Sequence, residues 1–373
     1  MPIWRRARRT ILAACLFCLA VAAISWVPAV TGSRNLSITI ASVEWLHSHG
    51  GNPIVAQIEN WYYTLNEPEK GGPTLTSLPQ VGVGAVEGEG SAEASQAAYT
   101  PPDVNPLIHP VLKGEGVWKK AGARVGARPP ALLTTFRSDP EYPQFVAGVA
   151  WLDSSRTELA YVPGTAEPPE PLEGRGNGEV PDNLRRRLVA TFNGGFPLET
   201  SNAGLIYRGK VKEAMVNGVA TVVRYRDGHT DIVKWNSGPG APKDVWFAKQ
   251  NLPPIIYEGK LNPNLGDGPE WGETVNNQTR VWRSGLGIDA HGNLLYVAAN
   301  QISLADLAHC LTAAGAVRGM ELDIHPQMVT FMTYAPGQAH HDGSGSRLLP
   351  TMLPPPNRYL VPSQRDFLAV TIR

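Results

Sequence analysis

The chain has 373 residues, of which 42% are hydrophobic, so it is long enough for one large or two ordinary domains with a sizeable core. Its 33 basic and 33 acidic residues give a formal net charge of zero. This balance excludes broad electrostatic binding to nucleic acid, and we expect no nucleic-acid partner.

An uncharged apolar run, residues 11–30, follows a basic tail, residues 1–10. At 1.5 Å per residue such a run spans a hydrocarbon core of about 30 Å. The arginines before it predict that the tail stays in the cytoplasm and that the rest faces outward. We therefore expect a single-pass signal-anchor in the cell membrane, with Trp26 near the outer interface. The alternative is a cleaved signal peptide followed by secretion.

Two of the three cysteines, Cys15 and Cys18, lie inside the apolar run. Only Cys310 remains outside it, so the exported part cannot form an internal disulfide. Its stability must come from a packed core rather than from covalent cross-links.

Two segments separate the apolar run from the main domain. Residues 31–66 form a juxtamembrane segment with two predicted amphipathic helices, broken at the Gly-Gly-Asn-Pro stretch of residues 50–53. Their aromatic residues suit either a membrane interface or packing on the main domain. Residues 67–106 are rich in Gly, Pro, Ser, Ala and Glu, which predicts a flexible linker that buries too little apolar surface to fold.

Short strand-like runs dominate residues 107–373, which predicts an α+β fold class with strand-rich mixed sheets and a few packed helices. Two hairpins are indicated by turns at Asp227-Gly228 and at residues 291–293. The runs are ALLTTFR, FVAGVAWLD, ELAYV, LVATFN, TVVRYR, DIVKWN, VWRSGLGID, LLYVAAN, GMELDI and VTFMTY.

One helix in this domain has clear start and stop signals. Ser303 caps it, Asp306 stands at the spacing of a capping box, and Gly315 ends it. On the helical wheel His309 points away from the apolar stripe and is expected to be solvated. Cys310 flanks the stripe and is expected to pack rather than to act as a nucleophile.

The first segment with chemical potential is Thr191-Phe-Asn-Gly-Gly, where a buried strand meets two glycines. Asn193 offers both a donor and an acceptor, and Gly194 and Gly195 expose backbone N–H groups. Together these groups suit a polyhydroxyl ring or a phosphate oxygen. A tight bulge that packs two sheets is the alternative interpretation.

The second segment places Arg283 and Ser284 inside an apolar strand. A guanidinium there is costly unless it is paired. Its fork geometry matches a phosphate or a carboxylate, so an anion-binding role is one hypothesis. A structural ion pair with Glu321 or Asp323 is the other, and the two are compatible.

The third segment spaces Glu321, Asp323 and His325 by two residues, which predicts that they share one face of a strand. Carboxylates held close together have pKa values that are pushed apart, and this separates acid and base roles. A solvent-facing edge strand is the alternative.

A fourth polar stretch contains the adjacent residues His340, His341 and Asp342 in a Gly/Ser-rich loop. These side chains are possible ligands for a divalent metal. Adjacent histidines in such a loop are more typical of a polar surface, so we expect no cofactor.

The first three segments, in this order, resemble the phosphodiester glycosidase family. The family's N-G-G-F-F segment is matched by residues 193–196, with Pro197 in place of the second Phe. Its R-[ST]-A-[IV]-G segment is matched by residues 283–287. A helix then precedes an L-D-G-G-G-S segment, of which Leu322-Asp323 remain in place. The resemblance covers about residues 130–373, within a predicted domain over residues 107–373.

The resemblance implies hydrolysis of the bond between a sugar anomeric carbon and a phosphodiester. Arg283 would bind the phosphate, and Asp323 would act as nucleophile or base. Glu321 or His325 would be the proton-transfer partner. The expected substrate contacts are Thr191, Asn193, Gly194, Gly195 and Ser284.

The chain departs from the family after Asp323, where Ile324-His325-Pro326-Gln327 replaces the glycine-rich loop. Either the substrate differs or activity has been lost. The resemblance, together with the apolar run, therefore indicates a membrane-anchored bacterial envelope branch that acts on a sugar-phosphate glycan or glycolipid. The alternative is a non-catalytic envelope protein, for glycan binding or assembly, that kept the fold.

Overall fold

A computed structural model describes residues 3–32, 38–81, 99–121, 129–266, 268, 271, 280–335, 339 and 345–373. The chain divides into two compact units, Met1–Trp61 and Tyr62–Arg373. The helices are α1 Ile3–Gly32, α2 Ile38–Ser48, α3 Asn52–Leu65, α4 Asp182–Arg185, α5 Leu198–Ser201 and α6 Leu304–Ala313. The strands are β1 Lys119–Ala121, β2 Ala131–Arg137, β3 Val146–Leu152, β4 Thr157–Val162, β5 Leu188–Asn193, β6 Leu205–Tyr207, β7 Lys210–Glu213, β8 Ala220–Tyr225, β9 Thr230–Lys234, β10 Val245–Gln250, β11 Ile256–Tyr257, β12 Lys260–Leu261, β13 Val281–Asp289, β14 Leu294–Ile302, β15 Ala316–Glu321, β16 Phe331–Thr333, β17 Ser346–Arg347 and β18 Phe367–Ile372.

The first unit is helical. Within α1, Arg8–Thr31 is long and apolar enough to cross a membrane, and it is not buried. These are features of a signal sequence and of a membrane anchor alike. The two helices expected after it are present as α2 and α3, and Gly50 between them has a φ of +73° that favours glycine.

The second unit contains three sheets, and every strand pairing described is antiparallel. The first sheet has the order β1-β2-β3-β14-β13-β15-β11-β12, the second β7-β6-β10-β8-β9, and the third β17-β16-β5-β18-β4. The predicted strand-rich α+β architecture is confirmed. Mixed sheets were predicted, whereas the pairings found are antiparallel throughout the described residues.

The main core lies where the three sheets meet. Leu286 from the first sheet, Phe247 from the second and Phe192 from the third belong to one buried cluster. Helix α6 covers the other face of the first sheet. A Cβ added at Gly285 would lie 3.0 Å from Leu311 of this helix, so glycine there permits the close approach of helix and strand.

Helix α6 has the predicted ends. Ser303 and Asp306 form a complete capping box, and Gly315 has a φ of +99°. His309 is exposed and Cys310 is fully buried, as the helical wheel predicts. The predicted hairpins are also present, as β8–β9 and β13–β14.

The third chemistry-bearing segment differs from its prediction, because β15 ends at Glu321. The Asp323 carboxylate accepts a hydrogen bond from the backbone N–H of His325 at 2.9 Å. An aspartate that bonds to the backbone two residues later forms an Asx-turn, which competes with a strand. Asp323 and His325 therefore lie in a turn beyond the strand.

The ends of the predicted linker are packed on the second unit. Val81 and Val104 are buried in its core clusters. Val104 also donates a backbone hydrogen bond to Gly116 at 2.9 Å. A flexible linker does not describe these ends, because apolar residues within a polar stretch find sites on the domain. Residues 82–98, the middle of the predicted linker, lie outside the described residues.

Candidate active site

The three predicted segments converge because of strand register. In the third sheet Asn193 lies opposite Phe367, and in the first sheet Gly285 lies opposite Glu321. The Asn193 amide donates to the Ser284 hydroxyl at 3.1 Å, and that hydroxyl donates to the backbone carbonyl of Asp323 at 2.8 Å. A short hydrogen-bonded path therefore joins all three segments.

The side-chain oxygen of Asn193 is also hydrogen-bonded within the protein. Its side-chain oxygen accepts from the Tyr296 hydroxyl at 2.9 Å and from the Thr330 backbone at 3.2 Å. Thr191 is fully buried, and its hydroxyl shares a hydrogen bond with that of Tyr334 at 3.1 Å. In this structure both side chains hold strand ends together, and their role as substrate contacts stays a prediction.

The two glycines allow protein side chains to come close. A Cβ on Gly194 would lie 3.0 Å from the Asp366 carboxylate, and one on Gly195 would lie 2.9 Å from the Asn251 amide oxygen. Gly195 also has a φ of +96°, which strains other residues. Asn251 follows β10 of the second sheet, so the glycines join the ends of two sheets, as the alternative interpretation proposed.

Arg283 pairs with Glu321 at 2.6 Å, and their side chains are only 3% and 0% exposed. The Arg283 Nε atom donates to the carbonyl of Ile302 at 3.2 Å. The second Glu321 carboxylate oxygen is buried and has no hydrogen-bond partner among the described residues. Burial raises the pKa of Glu321 to about 7, although Arg283 acts in the opposite direction.

Arg365 is the functional candidate that sequence reasoning missed. One of its terminal nitrogens lies 3.3 Å from the Asp323 carboxylate and donates to the Gly195 carbonyl at 2.8 Å. The Arg365 side chain is 20% exposed, whereas that of Asp323 is 1% exposed. The Arg365 side chain is therefore partly exposed beside a buried carboxylate, although its Nε atom is buried.

A second buried ion pair lies beside Arg365. The Lys249 ammonium is 2.5 Å from the Asp366 carboxylate, and the Tyr161 hydroxyl donates to the same oxygen at 2.8 Å. Lys249 and Asp366 are at most 2% exposed. Burial, reinforced by Asp366, raises the pKa of the neighbouring Glu167. A charged residue within an apolar strand run, such as Lys249 in VWFAK, is the sequence feature that could have indicated this buried ion pair.

Part of the sequence that forms this site matches a known protein family. Residues 186–353 match the family model described as phosphodiester glycosidase. This part of the chain is similar to that family. The matched range holds Asn193, Arg283 and Asp323 and ends before Arg365.

Two solved structures are similar to this chain. One is the zebrafish N-acetylglucosamine-1-phosphodiester alpha-N-acetylglucosaminidase catalytic domain auto-inhibited by its pro-peptide, at 15% identity and a TM-score of 0.41 over 68% of this chain and 87% of that one. The other is a hypothetical protein from Synechocystis, at 14% identity and a TM-score of 0.35 over 61% of this chain and 59% of that one. No match was found among curated proteins.

The structure does not test the predicted alternative of a metal site. His340, His341 and Asp342 lie outside the described residues. Within the residues that the structure describes, no group of three or more His, Cys, Asp or Glu side chains is placed to hold a metal ion. Metal binding at this loop stays a prediction.

The buried Arg283–Glu321 pair predicts a large stability effect. At pH 8, where Glu321 is ionised, Arg283→Ala leaves a buried carboxylate uncompensated. We expect the free energy of unfolding to fall by about 3–5 kcal/mol. Urea unfolding followed by circular dichroism measures this. Arg318→Ala, which breaks a half-exposed pair with Asp231, is the matched control and should cost less than about 1 kcal/mol. Equal effects would contradict the assignment.

The raised pKa of Glu321 predicts a pH dependence of stability. Between its ordinary value of 4.5 and its folded value of about 7, the folded state binds the proton and the unfolded state releases it. Glu321 therefore lowers stability as pH rises through that window, by at most about 1.4 kcal/mol per pH unit. Glu321→Gln should flatten this slope in urea unfolding at pH 5, 6, 7 and 8. Parallel curves for the two proteins would contradict the raised pKa.

Proposed function

We propose that the second unit hydrolyses the bond between a sugar anomeric carbon and a phosphodiester. The observation that carries the proposal is the Asp323 carboxylate held by Arg365 next to the Gly195 carbonyl, in and beside the range that matches the phosphodiester glycosidase family. A carboxylate beside a partly exposed arginine supplies the two functions that this reaction needs, nucleophile or base on one side and anion binding on the other.

The nature of the leaving group explains why Asp323 and Arg365 are enough for the proposed reaction. A phosphodiester is a good leaving group, so the reaction needs less acid assistance than the hydrolysis of an ordinary glycoside. The site must instead bind the phosphate charge and attack the anomeric carbon or activate water there. We assign the attack or base role to Asp323.

Phosphate binding is assigned to Arg365 in preference to Arg283. The Arg365 side chain is 20% exposed, whereas that of Arg283 is 3% exposed and already paired with Glu321. The N–H donors of a partly exposed arginine suit phosphate oxygens. Arg283 then acts by positioning Glu321, and the phosphate role expected from the resemblance passes to Arg365.

The proton-transfer partner is proposed to be Glu321, with His325 as the second candidate. A pKa of about 7 lets Glu321 hold or release a proton near neutral pH. Its unpartnered carboxylate oxygen is a site for that proton. The His325 backbone N–H donates to Asp323, which places this residue in the same turn.

A non-catalytic glycan-binding role is the competing function, because Ile324 is buried where the related family has a glycine. Incubating the full chain with a poly(glycosyl phosphate) separates the two. Release of reducing sugar supports hydrolysis. Retention of the polymer without release supports binding alone and overturns the proposed reaction.

For location, we propose that α1 is a retained anchor which holds the second unit outside the cytoplasm in the cell envelope. Its exposed apolar surface supports this. Membrane fractionation with sequencing of the mature N-terminus tests it. Recovery of residues 11–30 in the membrane fraction is expected. A soluble protein that begins after residue 30 would contradict the anchor.

A further inference from the structure

A cavity of about 520 Å³ opens between edge strand β4 of the third sheet and the face of the second sheet. This volume falls in the usual range of small-molecule sites, about 300–1,000 Å³. Asp323 and Arg365 do not line it. The side chains that matter here are Asn177, Glu179, Tyr207, Arg208, Arg224 and Trp246.

Two aromatic residues, Tyr207 and Trp246, line this cavity. The Arg208 guanidinium lies 5.2 Å from the centre of the Tyr207 ring, and that of Arg226 lies 5.3 Å from the centre of the Trp246 ring. Such cation–π contacts restrain the rings and cations together. A rigid aromatic surface with polar groups at its edge suits a ligand with one apolar and several polar faces.

The cavity also offers cationic donors that are not used up by the protein. Arg224 donates through one terminal nitrogen to Glu158 at 2.7 Å, while its Nε atom is buried with no partner among the described residues. Arg208 is exposed. By contrast Arg175, which also lines the cavity, donates to the backbone carbonyls of its own loop and so serves the fold.

We infer that this cavity is a second carbohydrate site, which binds a sugar unit that bears a phosphate or carboxylate group. Arg208 and Arg224 would bind the anionic group, and the rings of Tyr207 and Trp246 would pack on the apolar face of the sugar. Asn177 offers hydrogen-bonding groups for its hydroxyls, and Glu179, one oxygen of which is paired with Arg185 at 3.0 Å, has a second oxygen that can accept.

A buried side chain connects the cavity to the surroundings of the candidate active site. Tyr161 lines the cavity, and its hydroxyl donates to Asp366, the neighbour of Arg365. The inference does not depend on the proposed reaction, because a non-catalytic binder would use the same cavity.

The test is isothermal titration of the full chain, in detergent, with glucose 1-phosphate, methyl glucoside and inorganic phosphate. An Arg365→Ala background removes the proposed phosphate ligand of the active site. In this background we expect glucose 1-phosphate still to bind in the cavity, more tightly than methyl glucoside or inorganic phosphate. Adding Arg208→Ala should weaken this binding about tenfold, and Trp246→Ala should also weaken it.

Lys210→Ala is the matched control, because it removes an exposed cation two residues away that does not line the cavity. Its affinity should stay within about twofold of the parent. Loss of all binding in Arg365→Ala, or no effect of Arg208→Ala, would overturn the second site. Equal binding of inorganic phosphate would overturn its sugar specificity. Binding is measured separately from turnover, so these outcomes can still be interpreted if the proposed reaction fails.

Discussion

Asp323→Asn is expected to lower the rate of sugar release roughly 10³-fold or more, while the protein stays folded. Asparagine keeps the size of the side chain and an oxygen that can accept the His325 N–H. It loses the negative charge that, in the proposed reaction, attacks the anomeric carbon or activates water. It also loses the ion pair with Arg365, whose side chain is 20% exposed.

The measurement is the initial rate of reducing-sugar release from a sugar-1-phosphodiester, with thermal unfolding of the same samples as the folding check. Asp231→Asn removes a carboxylate from a half-exposed pair with Arg318 and serves as the control. It should keep full activity. A folded Asp323→Asn protein with wild-type rates would remove Asp323 from the reaction.

Arg365→Lys is expected to lower kcat/KM about 10²-fold, with the fold intact. The arginine contacts the Asp323 carboxylate and the Gly195 carbonyl through one nitrogen and keeps other N–H groups for a phosphate. A lysine ammonium is a point charge and cannot reproduce this fork. Steady-state kinetics on a sugar-1-phosphodiester measure the loss.

Arg318→Lys is the control for the same chemical change at a surface ion pair, and it should leave kcat/KM unchanged. If Arg365→Lys is equally harmless, the phosphate is bound elsewhere. Arg283 would then become the candidate again, as the resemblance implies.

Much of the fold could be predicted because its signals are local. The capping box of Ser303 and Asp306 and the glycine turns of both hairpins depend on residues a few positions apart. Each of the ten apolar runs read as strands overlaps a strand in the structure, although GMELDI leaves its strand at Glu321. The antiparallel pairing was not predictable in the same way, because it depends on contacts between distant segments.

The candidate site was only partly predictable for the same reason. Two adjacent glycines predict a close approach at residues 194 and 195, and the structure places the side chains of Asp366 and Asn251 near them. Ligand contact by these glycines stays a prediction. Local sequence shows that space is needed and does not show what fills it.

Arg365 was not predicted because its position at the candidate site depends on strand register. Its contact with Gly195 spans 170 residues of sequence, and it arises because β18 pairs with β5 so that Phe367 faces Asn193. The residues just before Phe367 then lie beside the glycines. In the sequence, Arg365 and Asp366 stand between a polar loop and an apolar run, where charged residues are common.

The central claim is cleavage between the anomeric carbon and oxygen, and oxygen-18 water tests it directly. The full chain is incubated with a sugar-1-phosphodiester in labelled water, and both products are analysed by mass spectrometry. Attack at the anomeric carbon puts the label in the sugar and none in the released phosphomonoester, whose oxygens do not exchange on this timescale. Label in the phosphomonoester would mean attack at phosphorus and would contradict the account, as would a complete absence of products.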